Sequence, residues 1–153
     1  MAIPLLLANL CATGVLIGLI WTIQLVHYPL LAAVGTDAFP AYLAEHADRI
    51  TFLVAPWMLL ELVTSAALVR THPAAVPRWM VRWGLALCLA AWAATWFVSV
   101  PIHQALADGF DPVLHRRLVD TNWLRTALWT ARGTLSLLMV WRLTTAVPRP
   151  ETR

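Results

Sequence analysis

Four long apolar stretches, separated by short polar segments, constrain this chain more than any other feature. They cover residues 3–34, 38–69, 79–106 and 113–145. Each is longer than the roughly 20 residues that a helix needs to cross the hydrocarbon core of a bilayer. The sequence therefore predicts an all-α fold: one membrane domain over residues 1–153, a bundle of four transmembrane helices that run up, down, up and down.

The composition is typical of a membrane protein. Hydrophobic residues make up 60% of the chain and charged residues only 12%, against about 25% charged residues in a typical soluble domain. The first stretch has no basic start and is longer than the apolar core of a signal peptide, so we expect it to be a span. The expected partners are the lipid bilayer and a lipophilic small molecule, with no nucleic acid.

The distribution of arginine predicts the orientation. Cytoplasmic segments of membrane proteins carry an excess of Lys and Arg. This predicts a multi-pass protein of the cell membrane with both termini in the cytoplasm. The arginines of the predicted cytoplasmic side are Arg70, Arg78, Arg82, Arg142, Arg149 and Arg153. Those of the opposite side, which stand among six acidic residues, are Arg49, Arg116 and Arg117.

The segments between the stretches carry turn and cap signals. Gly35-Thr36-Asp37 is typical of a turn and a helix N-cap, and Asp111 followed by Pro112 is typical of an N-cap and a first helical position. Gly14 and Gly18 form a small-residue face in the first stretch, which permits close helix contact. This face fits packing inside the bundle or the contact of a homo-oligomer.

Each predicted helix carries one histidine near the same end: His27, His46, His103 and His115. At a rise of 1.5 Å per residue they lie about 35 to 42 Å from the cytoplasmic helix ends. Imidazole is a common ligand of transition metals, so the layer predicts a site for iron or copper, with zinc possible. Haem b, held by His27 and His103, is an alternative. The layer also fits a substrate site without metal, or histidines at the lipid headgroups.

Other polar and aromatic side chains share this layer or line the spans below it. As residues that orient ligands or substrate, and so as candidate catalytic residues, we predict Asp120, Asn122 and Arg125. As candidate substrate-binding residues we predict Gln24, Glu45, Trp96 and Trp123.

Glu61 and Arg132 form a second constellation, at mid-span. Counting residues places them about 15 and 16 Å from the cytoplasmic helix ends. A charge at that depth is costly unless it is paired and turned inward. We predict an ion pair within the membrane, and a proton relay or substrate anchor is the functional alternative.

Two segments resemble the anthrone oxygenase-like family of small four-helix integral membrane proteins. They are HYPLLAAVGTDAFPAYLAEH, His27 to His46, and VPIHQALADGFDPVLHRRLVDTNWLRT, Val100 to Thr126. In that family a proline ends the first span, and the fourth begins with a polar stretch that leads to an N/H-x-x-R pattern, here Asn122-Trp123-Leu124-Arg125. The resemblance covers most of the chain as a layout. It implies insertion of oxygen into an aromatic substrate of the polyketide type, or a membrane role that has not been assigned.

Two functions of different classes follow. The first is a membrane-embedded oxidoreductase that acts on a lipophilic or aromatic substrate at the histidine layer, near the extracytoplasmic surface. The second is a non-enzymatic binding, transport or anchor subunit for a metal, haem, quinone or lipid. A structural protein whose polar layer only anchors the loops is a third interpretation.

Overall fold

Four long helices joined by short connections make up the computed structural model of this protein, which describes residues 2–146. They are α1 (Ala2–Ala33), α2 (Phe39–Thr71), α3 (Arg78–Ala105) and α4 (Pro112–Ala146). Every helix end lies within two residues of the end expected from the sequence. Two of the predicted cytoplasmic arginines, Arg149 and Arg153, lie outside the described residues.

Two helices contain a π-helical turn, and in both cases a proline explains it. The turns are Ile23–His27 in α1 and Thr95–Ser99 in α3. Pro29 and Pro101 follow two residues after them. Proline has no N–H and crowds the turn before it, so the backbone there widens. The N–H groups of the residues that follow the two π turns donate to carbonyl oxygens five residues back.

The helix starts differ in how they are capped. One carboxylate oxygen of Asp111 accepts the N–H groups of Val113 at 2.7 Å and Leu114 at 2.9 Å, which confirms the predicted N-cap of α4. The N-cap that Gly35-Thr36-Asp37 predicted before α2 is wrong. That helix begins after Ala38 with no side-chain cap, and Asp37 instead accepts a hydrogen bond from its neighbour Thr36.

The four helices pack as a ring in which α1 and α3 each contact both α2 and α4. The buried apolar side chains form three clusters along the bundle. One lies around Phe39 and Leu118, the second around Leu16 and Trp129, and the third around Leu6. The histidine-bearing helix segments surround the first cluster.

The outer surface of the bundle is apolar. Large side chains stand almost fully exposed, among them Phe52 at 86% and Phe97 at 81%. A soluble protein rarely presents so many exposed apolar side chains. Three of the helices, α1, α2 and α3, are long and apolar enough to cross a membrane. The protein therefore has the character of a membrane protein.

Close helix contact occurs at glycines other than those expected. Gly14 and Gly18 lie on an exposed face, and nothing lies within 4 Å of a Cβ built on either. The expectation that they pack inside the bundle is therefore wrong, and their use in a homo-oligomer stays a prediction. A Cβ on Gly133 would instead collide with Cδ1 of Ile17, and one on Gly84 would lie 3.0 Å from Nη1 of Arg132.

Candidate functional site

A cavity of about 460 Å³ opens between α2 and α3, in the half of the bundle that carries the histidines. This volume lies in the range of small-molecule sites, which are concave, mostly apolar and equipped with a few polar groups. The π turn of α3 contributes several of its walls. The apolar lining includes Ile23, Leu43, Val54, Met58, Trp92 and Trp96, and the polar lining includes Tyr28, His46, Ser99, His103 and Arg125.

Three of the four predicted histidines come together beside this cavity. The ring centroids of His27 and His46 are 4.2 Å apart, and those of His46 and His103 are 5.9 Å apart. The rings are inclined by 29° and 27°, so they stack. We call these three residues the histidine stack. The histidine layer that helix rise predicts thus contains a cluster of three imidazole rings.

His115 does not join the stack. Its Nε2 lies 2.8 Å from the backbone oxygen of Tyr28, and its ring packs against Phe110 at 5.4 Å. The contact ties the start of α4 to the end of α1. This histidine therefore holds two helices together and is not available as a fourth ligand.

The stack is not arranged as a metal site. Within residues 2–146, no group of three or more His, Cys, Asp or Glu side chains is placed to hold a metal ion. The lone pairs of imidazole lie in the ring plane, so stacked rings direct them along parallel planes and not toward a common point. The ring of His46 packs against both His27 and His103, which leaves these two no open slot for a haem. The residues present therefore do not fit either group in this arrangement.

His103 has the most suggestive surroundings of the three. Its Nε2 shares a hydrogen bond of 2.9 Å with the hydroxyl of Tyr28. Its Nδ1 is buried and has no hydrogen-bond partner in the part of the chain that the structure describes, as is also true of Nε1 of Trp92. Buried polar atoms are paired in the great majority of cases. Two such atoms on residues that line one cavity indicate a place for a bound molecule.

A chain of hydrogen bonds holds Arg125 in place at the wall of the cavity. Gln24 donates to the carbonyl of Val119 at 3.2 Å, and its own oxygen accepts from Asn122 at 2.8 Å. The oxygen of Asn122 in turn accepts from Nη1 of Arg125 at 3.1 Å, and the same nitrogen donates to Ser99 at 3.1 Å. The chain joins α1, α3 and α4. It places Gln24 and Asn122 behind Arg125, which itself lines the cavity.

The remaining predicted residues lie elsewhere, with one exception. Trp96 lines the cavity as a partly exposed wall. Glu45 points outward with 63% of its side chain exposed and pairs with Arg49 at 2.5 Å. Asp120 is exposed on the outer side of α4, and Trp123 packs edge-on against Trp21 at 5.8 Å. These last three residues do not contribute to the cavity.

A second buried polar cluster surrounds the mid-span charges. Nε of Arg132 lies 3.8 Å from Oε1 of Glu61, and their side chains are 2% and 0% exposed. Glu61 also accepts the hydroxyl of Thr13 at 2.7 Å and the indole N–H of Trp129 at 3.1 Å. The structure thus brings together the two charges that the sequence predicted as a pair.

Neutral side chains bind the two terminal nitrogens of Arg132, whereas its Nε has no hydrogen-bond partner among the described residues. Its Nη2 donates to Oδ1 of Asn9 at 2.6 Å and to the hydroxyl of Ser65 at 2.7 Å, while Nη1 donates to Ser136 at 2.9 Å. We call the whole cluster the Glu61 network. Its members are Asn9, Thr13, Glu61, Ser65, Trp129, Arg132 and Ser136.

Sequence reasoning predicted the histidine stack and Arg125 but missed most members of the Glu61 network and two polar residues of the cavity lining, Tyr28 and Ser99. A signal for the Glu61 network was present, because its polar residues stand four apart within apolar stretches, on one helix face. Tyr28 and Ser99 gave no such signal, since each is an ordinary residue of an apolar helix. The pairs four apart are Asn9 with Thr13, Glu61 with Ser65, and Arg132 with Ser136.

Comparison with known proteins adds no relative. No family model, no curated protein and no solved structure matches this chain. The function must therefore be argued from the cavity itself.

Proposed function

We propose that this protein is a membrane-embedded oxidoreductase that acts on a lipophilic aromatic molecule held in the cavity. The observation that carries the proposal is the cavity, which joins indole and aliphatic walls to a polar end with His103, Tyr28 and Arg125. Aromatic walls suit a flat apolar body, and a few converging polar groups suit its orientation. The resemblance to the anthrone oxygenase-like family supports the same substrate class.

The membrane arrangement that we propose has four spans, with both termini in the cytoplasm. The fourth helix carries more charge than the others, but Arg125 and Arg132 are buried inside the bundle. Its exposed side chains between Thr121 and Trp141 carry no charge, which suits contact with lipid. They are Trp123, Leu124, Ala127, Ala131, Thr134, Leu137, Leu138 and Trp141.

Accessibility labelling tests this arrangement. Two variants are made in a background that carries Cys11→Ala and Cys88→Ala. Thr36→Cys places a single thiol in the connection between α1 and α2, and Ala74→Cys places a single thiol in the connection between α2 and α3. An impermeant maleimide added to intact cells should label the first thiol and not the second. Labelling of the second alone would reverse the orientation, and labelling of both would contradict the four-span bundle.

The chemistry that we propose begins with removal of a proton by His103. In the tautomer that donates Nε2–H to Tyr28, the unpaired Nδ1 is free to act as a base. The substrate is a methylene flanked by aromatic rings and activated by a ring carbonyl. The oxidant is dioxygen: R₂CH₂ and O₂ give R₂C=O and H₂O. Two C–H bonds break, one oxygen atom enters the product, the other leaves as water, and no further reductant is needed.

Oxygen uptake with anthrone as the probe tests this reaction. Protein in lipid nanodiscs should consume dioxygen faster than empty nanodiscs, and ¹⁸O₂ should place one labelled oxygen in the anthraquinone product. His103→Gln should slow turnover by about 100-fold or more, as loss of a general base does, with anthrone still bound. The control His72→Gln removes an imidazole outside the cavity lining and should leave the rate unchanged. Binding of anthrone without oxygen uptake would favour the non-enzymatic binding or transport function.

Iron, copper, zinc and haem b stay predictions of the sequence. Plasma mass spectrometry and the visible spectrum of the same preparation test them. Stoichiometric metal that is lost in His46→Gln would mean that the histidine stack rearranges to bind it.

A further inference from the structure

The most unusual group at the cavity is Arg125, whose charge has no counterion. The residue is only 7% exposed, and a guanidinium stays protonated in proteins. Its hydrogen-bond partners, Ser99 and Asn122, are neutral. So is the ring of Trp129, which lies 5.4 Å from the guanidinium carbon. Among the described residues the ion pairs are Glu45 with Arg49 and Glu61 with Arg132, so no carboxylate pairs with Arg125.

An uncompensated charge inside a bundle is costly, and such charges are retained where function uses them. Nε of Arg125 is buried and has no hydrogen-bond partner within residues 2–146, so the guanidinium has unused donor capacity as well as unused charge. The residue also lines the cavity. The missing partner therefore belongs in the cavity, and its chemistry must be that of an anion.

We infer that the cavity binds a lipophilic monoanion whose negative oxygen pairs with Arg125 while its apolar body lies against Trp92, Trp96 and Met58. The inference deepens the proposed function, on which it rests for the cavity being a ligand site, by naming the charge of the ligand. A carboxylate and an ionised phenol or enol share this chemistry. Arginine donates to either in charge-assisted hydrogen bonds, which are about twice as strong as neutral ones.

Matched acids and esters test the inference without any change to the protein. The probes are anthracene-9-carboxylate and its methyl ester, and 9,10-dibromostearate, whose bromine atoms quench tryptophan, and its methyl ester. Each is titrated into protein in neutral-lipid nanodiscs and followed by quenching of tryptophan fluorescence, with empty nanodiscs as the partition control. The acid of at least one pair should bind about tenfold to a hundredfold more tightly than its ester, as expected for a hydrogen bond to a charged group. The pair that shows this preference separates an aromatic body from an acyl chain.

Two variants then assign the preference to Arg125. Arg125→Gln should reduce the ratio of acid to ester affinity to near one, whereas Arg125→Lys should keep most of it. Arg49→Gln, which removes an exposed arginine outside the cavity, is the matched control and should keep the full ratio.

The outcomes separate this inference from the proposed function. Equal binding of acid and ester would overturn the inference and leave an apolar ligand site in place. Failure of all four probes to bind would overturn both. A preference for the acid that persists in Arg125→Gln would place the anion elsewhere and would also overturn the inference.

Discussion

The Glu61 network and the cavity are two buried polar regions of one bundle, and they are built in opposite ways. In the network both charges are present, and Asn9, Thr13, Ser65, Ser136 and Trp129 bind the carboxylate or the guanidinium. At the cavity a guanidinium stands without a carboxylate. Among the described residues, Nδ1 of His103 and Nε1 of Trp92 have no partners there. In the first region the protein itself supplies the counterion of the arginine, whereas we propose that a ligand supplies it in the second.

The contrast is sharpest along α4, because one face of this helix supplies both regions. Arg125 and Arg132 are seven residues apart, and Trp129 lies between them. Its ring faces the guanidinium of Arg125 and its N–H donates to Glu61. Two arginines on one helix face thus differ in their hydrogen-bond partners and in whether a carboxylate lies beside them. We therefore propose that stability and ligand binding depend on separate parts of this face.

Removal of the carboxylate of the network should have the largest effect. Glu61→Ala leaves Arg132 buried without its counterion, and breaking a buried pair on one side costs about 3–5 kcal/mol. The free energy of unfolding, measured by SDS titration in mixed micelles, should fall by that amount. Glu45→Ala, which breaks the exposed pair with Arg49, is the control and should cost at most about 1 kcal/mol.

Equal effects of these two substitutions would contradict the role given to the network. Glu61→Gln separates charge from shape, because its amide oxygen keeps one of the two acceptors, for either Thr13 or Trp129. It should lie between the parent and Glu61→Ala in stability.

Close packing around Arg132 gives the next largest effect. A Cβ on Gly84 would lie 3.0 Å from Nη1 of Arg132 and 3.3 Å from Cε of Met139. Gly84→Ala should therefore push α3 and the guanidinium apart and cost about 1–3 kcal/mol, as overpacking does, in the same titration. Gly14→Ala is the matched control, since nothing surrounds that position, and alanine's better helix propensity should leave stability equal or higher. A loss in the control as large as in Gly84→Ala would point to a contact at Gly14 in an oligomer.

The positions of the helices were predictable because the signals that define them are local. Long apolar runs, the Asp111-Pro112 cap and the glycine turns act within a few residues, and the observed helix ends lie close to the expected ones. The π turns were not predictable in this way. Pro29 and Pro101 announce a disturbance, but the choice between a kink and a wider turn depends on packing against the other helices.

The depth of the site residues along the bundle was predictable, but the direction in which their side chains point was not. Helix rise placed four histidines in one layer, because depth depends only on counting. The direction in which each side chain points depends on the rotation of its helix and on the other groups that can bind it. For His115 that competitor is the carbonyl of Tyr28, and for Glu45 it is Arg49. The first contact leaves no mark in the sequence, whereas the second joins residues four apart on one helix and could have been predicted from that spacing.

The smallest effect should also be the one with the opposite sign. Arg125→Gln removes a charge that has no counterion, while the amide can still donate to Ser99 or Asn122. The variant without ligand should therefore be more stable than the parent, by about 1 kcal/mol, since the cost of burying an unpaired charge is relieved. Arg132→Gln, on the same face of α4, leaves Glu61 unpaired and should lower stability by about 3–5 kcal/mol. Equal losses in both variants would mean that Arg125 is a structural residue like Arg132, and the distinction between the two regions would fail.

Opposite signs would show that Arg125 lowers the stability of the bundle in the absence of ligand. Anthracene-9-carboxylate should then raise the stability of the parent but not of Arg125→Gln. This result would identify an anion as the partner that offsets the cost of burying the Arg125 charge.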